Sequence, residues 1–167
     1  MAFARRTIRI LAVLSVVVGC VGCDRVTKTV ATSLLPEGRR VSLLGDVVRL
    51  EHARNPGAFL GMGAGLGERV RRLVFTWGVG ALVVAALAVA VRSTGRSSAA
   101  GAALVAAGGL GNLWDRLATG GWVIDFMNVG LGPVRTGIFN VADVTIVLGV
   151  ILIALAPPPP RGSAPPV

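Results

Sequence analysis

Two aspartates stand where apolar sequence makes a charge expensive. Asp125 lies within Val123-Ile124-Asp125-Phe126. Asp143 lies within Phe139-Asn140-Val141-Ala142-Asp143, near the head of an apolar run that reaches Ala156. An ionisable group inside such a run is a functional-site candidate by default, because its burial must be compensated by partners. Neither aspartate has a basic residue adjacent in sequence. Two carboxylates brought together in a low-dielectric site cannot both ionise cheaply, so they share a proton and titrate as a pair. One can then take a proton from water while the other protonates a scissile carbonyl. That is the chemistry of an aspartyl protease, and Asp125 and Asp143 are its candidate dyad. Asn140 and Asp143 are spaced i, i+3, so a helix places both on one face.

Further polar residues sit at the ends of apolar runs. Asp24 and Lys28 are spaced i, i+4 and can pair across one helical turn; an interfacial salt bridge explains them equally well in isolation. Lys28 is the only lysine, but no serine lies one helical turn from it, which disfavours a Ser-Lys hydrolase. Asn55-Pro56-Gly57-Ala58-Phe59 sits in a loop whose composition suits a segment dipping to a membrane surface. Asn112 and Asp115 repeat the i, i+3 spacing, with Arg116 next to Asp115 as its expected counter-charge. Asn112 and Asn140 can orient the aspartates or bind a substrate backbone. His52 is the only histidine, and no cluster of metal ligands, nucleophile triad or phosphate-binding loop is present, so no metal or other cofactor is expected. The competing reading takes all four motif aspartates as helix caps and ion pairs.

These residues require a membrane scaffold. The chain has 167 residues, of which 53% are hydrophobic and 15% charged. That charge content is low for a soluble domain, where about a quarter of residues are charged. Four apolar runs, about 8–30, 73–91, 99–117 and 138–156, approach the roughly 20 residues that cross a bilayer. The reading is a single domain over 1–156, a membrane all-α four-transmembrane-helix bundle, followed by a disordered proline-rich tail over 157–167. The third run is rich in glycine and alanine, which suits close helix packing in lipid. Residues 31–68 form a long polar connection. Within it Val41 to Leu44 and Val47 to Ala53 are β-prone, so a small extracytoplasmic β-sheet is expected between the first two helices.

The net charge of +9 fits attraction to anionic lipid headgroups rather than nucleic acid, since the basic residues are dispersed between the apolar runs. The first run, with Arg5, Arg6 and Arg9 before it, has the form of a signal peptide, and Val17-Val18-Gly19-Cys20 is similar to a lipoprotein processing site. Three further apolar runs argue instead for an uncleaved first span. Cys20 and Cys23 read as packing residues. Four spans place all five polar motifs on one face of the membrane, whichever way the chain inserts, with Asp143 roughly 7 Å below the surface. The first long loop carries as many arginines as the opposite side, but long loops weigh less, so both termini are expected in the cytoplasm with the site near the outer face.

The motifs in order resemble those of the bacterial lipoprotein signal peptidases, or signal peptidase II. Asp24-Arg25-Val26-Thr27-Lys28 is similar to the family's Asp-x-x-Thr/Ser-Lys motif, and Asn55-Pro56-Gly57-Ala58 to its Asn-x-Gly-Ala motif. Gly108-Gly109-Leu110-Gly111-Asn112 with Asp115-Arg116, Val123-Ile124-Asp125-Phe126 and Phe139-Asn140-Val141-Ala142-Asp143 resemble the remaining three. The resemblance implies an aspartyl endopeptidase of the bacterial inner membrane. Its substrates would be prolipoproteins carrying diacylglyceryl-cysteine, cut just before that cysteine, and globomycin-type cyclic peptides would inhibit it. It places the catalytic pair on Asp125 and Asp143. Substrate-binding or supporting roles fall on Asp24, Lys28, Asn55, Gly57, Asn112, Asp115, Arg116 and Asn140. One departure is Phe59, where many members have a second alanine first. The alternative is a small four-helix proton-coupled transporter, but such a protein should carry an acid near mid-span, and residues 73–113 contain none.

Overall fold

The computed structural model describes residues 2–36, 38–58 and 62–157. Phe59 and the tail from 158 onward lie outside the described residues.

No proline interrupts the chain before Pro36, and the first helix, α1 (Ala2–Leu34), runs through Asp24 and Lys28 without a break. The next helical segment begins as a single turn, α2 (Glu68–Arg71), passes through a π-helical stretch (Arg72–Gly78) and continues as α3 (Val79–Arg92). A short turn leads into α4 (Arg96–Thr119), which stops at Gly120 in the left-handed conformation that glycine adopts without strain. The last helix, α5 (Val141–Ala154), starts at Asn140.

Helix α4 is the centre of the bundle, packed against α1, α3 and α5. Its glycines permit this. A Cβ on Gly108 would lie 2.3 Å from the carbonyl oxygen of Ala142, and one on Gly101 would lie 2.6 Å from that of Gly149. The small-residue packing expected of the third apolar run is therefore a backbone-to-backbone contact with α5.

Among the described residues, two helical segments, Arg6–Leu34 and Glu68–Arg92, are long and apolar enough to cross a membrane; α5 is as apolar but shorter. Isoleucine, leucine and valine side chains stand exposed along α1, α3 and α5. Leu82 and Val84 are each 68% exposed, and Leu155 is 76% exposed. Such apolar surface is the mark of a lipid-facing or partner-facing exterior.

The sheet is larger than expected, and only half of it lies between the first two helices. Strands β1 (Arg40–Leu43) and β2 (Val48–Asn55) form the anticipated hairpin. Strands β3 (Val123–Leu131) and β4 (Val134–Arg135) come from the segment before α5, and the four pair antiparallel in chain order. Residues 123–126 are thus part of an inner strand. The reason is pairing: a strand between two neighbours satisfies its backbone groups as a helix would. A register shift between Leu50 and Ala53 sets Ala53 opposite Asp125. Beyond β3 the backbone amides of Phe126 and Met127 donate to the Phe139 carbonyl, which fastens the strand to the residue preceding Asn140.

Candidate active site

The start of α5 organises the site. Asn140 is the N-cap: its side-chain oxygen accepts from the Asp143 amide at 3.1 Å, and Asp143 Oδ2 accepts from the Asn140 amide at 3.1 Å. This reciprocal capping box satisfies two amides that the helix itself leaves unpaired. It also locks the Asp143 carboxylate against the helix end. The same Asn140 has its amide nitrogen left over, and that group donates to Asp125 Oδ1 at 2.6 Å and to the Ile124 carbonyl at 3.3 Å. One fully buried asparagine therefore holds a carboxylate from β3 and a carboxylate from α5 at a common point.

Each remaining carboxylate oxygen has its own donor. Asn55, at the end of β2, donates to Asp125 Oδ2 at 2.8 Å, and its oxygen accepts from the Gly57 amide at 2.9 Å. Asn112 of α4 donates to Asp143 Oδ1 at 2.9 Å. Asn112 Oδ1 in turn accepts from Lys28 at 3.1 Å and from Asn140 at 3.1 Å. Asp125 and Asp143 are 1% and 6% exposed. Burial pushes the Asp125 carboxyl up from 3.8 to about 6; the Asp143 charge adds to the rise, while Asn55, Asn140 and Lys28 oppose it.

Behind the two carboxylates lies a neutral set of four charges. Lys28 bridges Asp24 at 2.9 Å and Asp115 at 2.7 Å, with all three side chains 1% exposed. Arg25 pairs with Asp115 from the other side and lies 3.6 Å from Asp24. The set also grips backbone: Asp24 Oδ1 accepts from the Ala142 amide at 3.1 Å, and Asp115 Oδ2 from the Ile124 amide at 3.2 Å. Asp24 thus touches the residue before Asp143, and Asp115 touches the residue before Asp125. Gly111 makes room for this, since a Cβ there would lie 2.7 Å from Asp24 Oδ2.

Arg116 does not pair with Asp115, as the sequence reading expected. Adjacent helical residues point about 100° apart and do not face one another. Arg116 instead donates to the Gly57 carbonyl at 2.7 Å and lies 5.9 Å over the Phe75 ring, in the π-helical stretch. It ties the Asn55–Ala58 turn to α4. Nothing in its sequence position marks Arg25 for this role, because its contact with Asp115 runs between α1 and α4. Phe75 carried no signal beyond its place in an apolar run.

All ten residues singled out from sequence meet in this region, drawn from α1, β2 and the following turn, α4, β3 and α5. A groove of about 370 Å³ opens beside it. Asn112, Arg116 and Asp143 line its polar end, and Ile146, Val147, Val150 and Ile151 its apolar wall. With Asp143 at the polar end of an apolar groove and Asp125 held to it through Asn140, the site can act on a substrate that is itself mostly apolar.

A largely helical bundle with exposed apolar surfaces, a small sheet and this buried carboxylate cluster describes a membrane enzyme. A solved structure described as a bacterial membrane enzyme superposes with a TM-score of 0.76 at 26% identity, covering 87% of each chain. The family described as Signal peptidase (SPase) II matches residues 16–157, and the chain belongs to that family. The lipoprotein signal peptidase of Mycobacterium tuberculosis (strain H37Rv) is 38% identical over 157 residues, 88% of this chain and 71% of that protein. That of Rhodococcus jostii is 40% identical over 142 residues, 79% of this chain and 65% of that protein.

Proposed function

We propose that the chain is an aspartic endopeptidase that removes signal peptides from diacylglyceryl-modified bacterial prolipoproteins, cutting just before the lipidated cysteine. The observation that carries this reading is Asn140. Through its side chain and amide it binds Asp125 and Asp143 into one hydrogen-bonded unit in a buried site. Membership in the signal peptidase II family supplies the substrate class.

The chemistry follows from the pairing. One carboxyl of the dyad keeps a proton and the other is ionised. The ionised member takes a proton from a water molecule as the water oxygen attacks the scissile carbonyl. The protonated member donates to the carbonyl oxygen, and a proton returns to the departing amine when the C–N bond breaks. Asn55, Asn112 and Asn140 already donate to the two aspartates and hold them in position for this exchange. The neighbouring set of Asp24, Arg25, Lys28 and Asp115 holds the strand and helix that carry the dyad. Arg116 and Gly57 hold the turn that covers it.

Four membrane spans in one domain over 1–156 fit the molecule, and α4 and α5 are the third and fourth. Helix α4 is surrounded by other helices, so its small residues serve packing and it needs no lipophilic exterior. Helix α5 exposes Val147, Leu148, Val150 and Ile151 on its outer side. We place the protein in the bacterial inner membrane with both termini cytoplasmic and the sheet and site near the outer face. There membrane lipids surround the bundle, the groove beside Asp143 receives the apolar part of a signal peptide, and globomycin-type cyclic peptides compete for it. The transporter reading is not favoured: the acids of α4 and α5 lie in their last and first turns, at the sheet end of the bundle.

The test is cleavage of a prolipoprotein by the purified full chain, with and without the diacylglyceryl group. Anchoring in lipid holds the scissile bond at the depth of the dyad, so the modified precursor should be cut at least about tenfold faster, a small part of what proximity can supply. Failure to cut the modified precursor overturns the assignment, and equal rates overturn recognition of the lipid.

A further inference from the structure

At the opposite end of the bundle from the carboxylates, the start of α1 and the turn between α3 and α4 enclose a groove of about 450 Å³. Its floor is apolar, with Val13, Val16, Ala99 and Ala103 among its residues, and its rim carries Arg9 and Arg96. Arg9 reaches across from α1 to donate to the Ser93 carbonyl at 2.5 Å and to the Val91 carbonyl at 3.4 Å, both through Nη1. Its remaining donors, and the whole of Arg96, have no hydrogen-bond or ion-pair partner among the described residues.

The charge at this end is one-sided. The eight acidic residues of the chain all fall within 24–68 and 115–143. The groove's own stretch of α1, 8–16, and the 92–98 turn carry Arg9, Arg92 and Arg96 and no Asp or Glu. Among the described residues no carboxylate pairs with Arg9 or Arg96. Gly95 caps α4 without a side-chain bond, so the first amides of that helix add to the positive field at the rim.

We propose that this groove binds an anionic phospholipid, with an acyl chain along the apolar floor and the headgroup phosphate between Arg9 and Arg96. A soluble anion would use the rim alone and leave the floor unoccupied; a zwitterionic lipid would fill the floor but return no net charge. The lipid fastens the start of α1 to the α3–α4 turn, alongside the hydrogen bonds that Arg9 makes to the Val91 and Ser93 carbonyls. This site is distinct from the substrate groove beside Asp143, and it stands or falls independently of the peptidase reading.

Native mass spectrometry of the detergent-purified full chain tests it, with phosphatidylglycerol and phosphatidylcholine offered at equal concentration. The wild type should retain phosphatidylglycerol preferentially. Each basic residue near a lipid phosphate is worth about 1 kcal/mol, so Arg9→Gln with Arg96→Gln should weaken retention about thirtyfold. Arg96→Gln alone alters only an exposed side chain and should give part of that loss in a folded protein. Ala100→Phe, at an exposed position in the groove, should displace the chain and weaken retention with both arginines intact. Arg69→Gln, an exposed arginine at the other end, should change nothing. Equal retention of the two lipids, or indifference to Arg96→Gln and Ala100→Phe together, overturns the proposal. So does displacement of the lipid by millimolar inorganic phosphate, which would mark the rim as a free-anion site.

Discussion

Asn140 illustrates how much depends on single side chains here. Its oxygen caps a helix, its amide nitrogen reaches a strand, and its backbone N–H binds the second carboxylate. Around it, Asp125→Asn and Asp143→Asn keep size and most hydrogen bonds but cannot share or transfer a proton. Each variant should remain folded and membrane-inserted, and turnover should fall by about 10²–10⁴, the range for a positioned acid or base. Thermal stability and turnover measured on the same purified samples decide it, and near-normal turnover in either variant rules out the dyad. The pH dependence of stability is a second residue-scale consequence. Asp125 is held near 6 in the folded protein against 3.8 as its ordinary value, so between those values the folded state carries the extra proton. Stability from this group is therefore full below about pH 4 and is lost as pH rises through about 6, by about 3 kcal/mol in total. Melting curves from pH 4 to 8 should show this loss in the wild type and a flatter profile in Asp125→Asn. Parallel profiles would show that the carboxyl is not held protonated.

At the scale of elements, the seam between α1 and α4 is what aims the site. Lys28 sits between Asp24 and Asp115, and both aspartates continue onto backbone amides, one beside each member of the dyad. The set is electrically balanced, and losing one member leaves a buried charge unmatched. Asp115→Asn removes the shared partner of Lys28 and Arg25. It should cost about 3–5 kcal/mol of stability together with activity, because breaking a buried pair leaves an uncompensated ion. Thermal denaturation in detergent separates this variant from the dyad variants, which should lose activity with their fold intact. A melting temperature equal to the wild type would mean that the seam is not under electrostatic tension. The close α4–α5 contact at Gly101 and Gly108 leaves no space for the helices to shift and compensate.

At the scale of the molecule, acids and strands collect at one end of the bundle and arginines without acids at the other. That polarity suits a protein held in one orientation across a membrane. A topology reporter fused after Leu155, or within the 92–98 turn, should read cytoplasmic, and one near Arg39 should read external. A cytoplasmic signal at Arg39 would invert the orientation while leaving the site's own geometry untouched.

The residues by themselves determined the polar cast. A carboxylate in an apolar run announces itself because lipid and protein interior both penalise it, and the i, i+3 spacing of Asn140 and Asp143 is local enough to read directly. The hairpin of β1 and β2 was legible for the same reason, as a local alternation bounded by turn residues. Partnerships between elements were not. Asp115 adjoins Arg116 in sequence yet pairs with Lys28 and Arg25, because a helix turns neighbours apart and brings distant helices together. Val123-Ile124-Asp125-Phe126 reads only as an apolar flank around an aspartate and lies in an inner strand, because β2 is there to pair with it. Side-chain chemistry and short-range periodicity are properties of the chain. Which donor meets which acceptor is decided by packing, and only the tertiary structure sets Asn140 between Asp125 and Asp143.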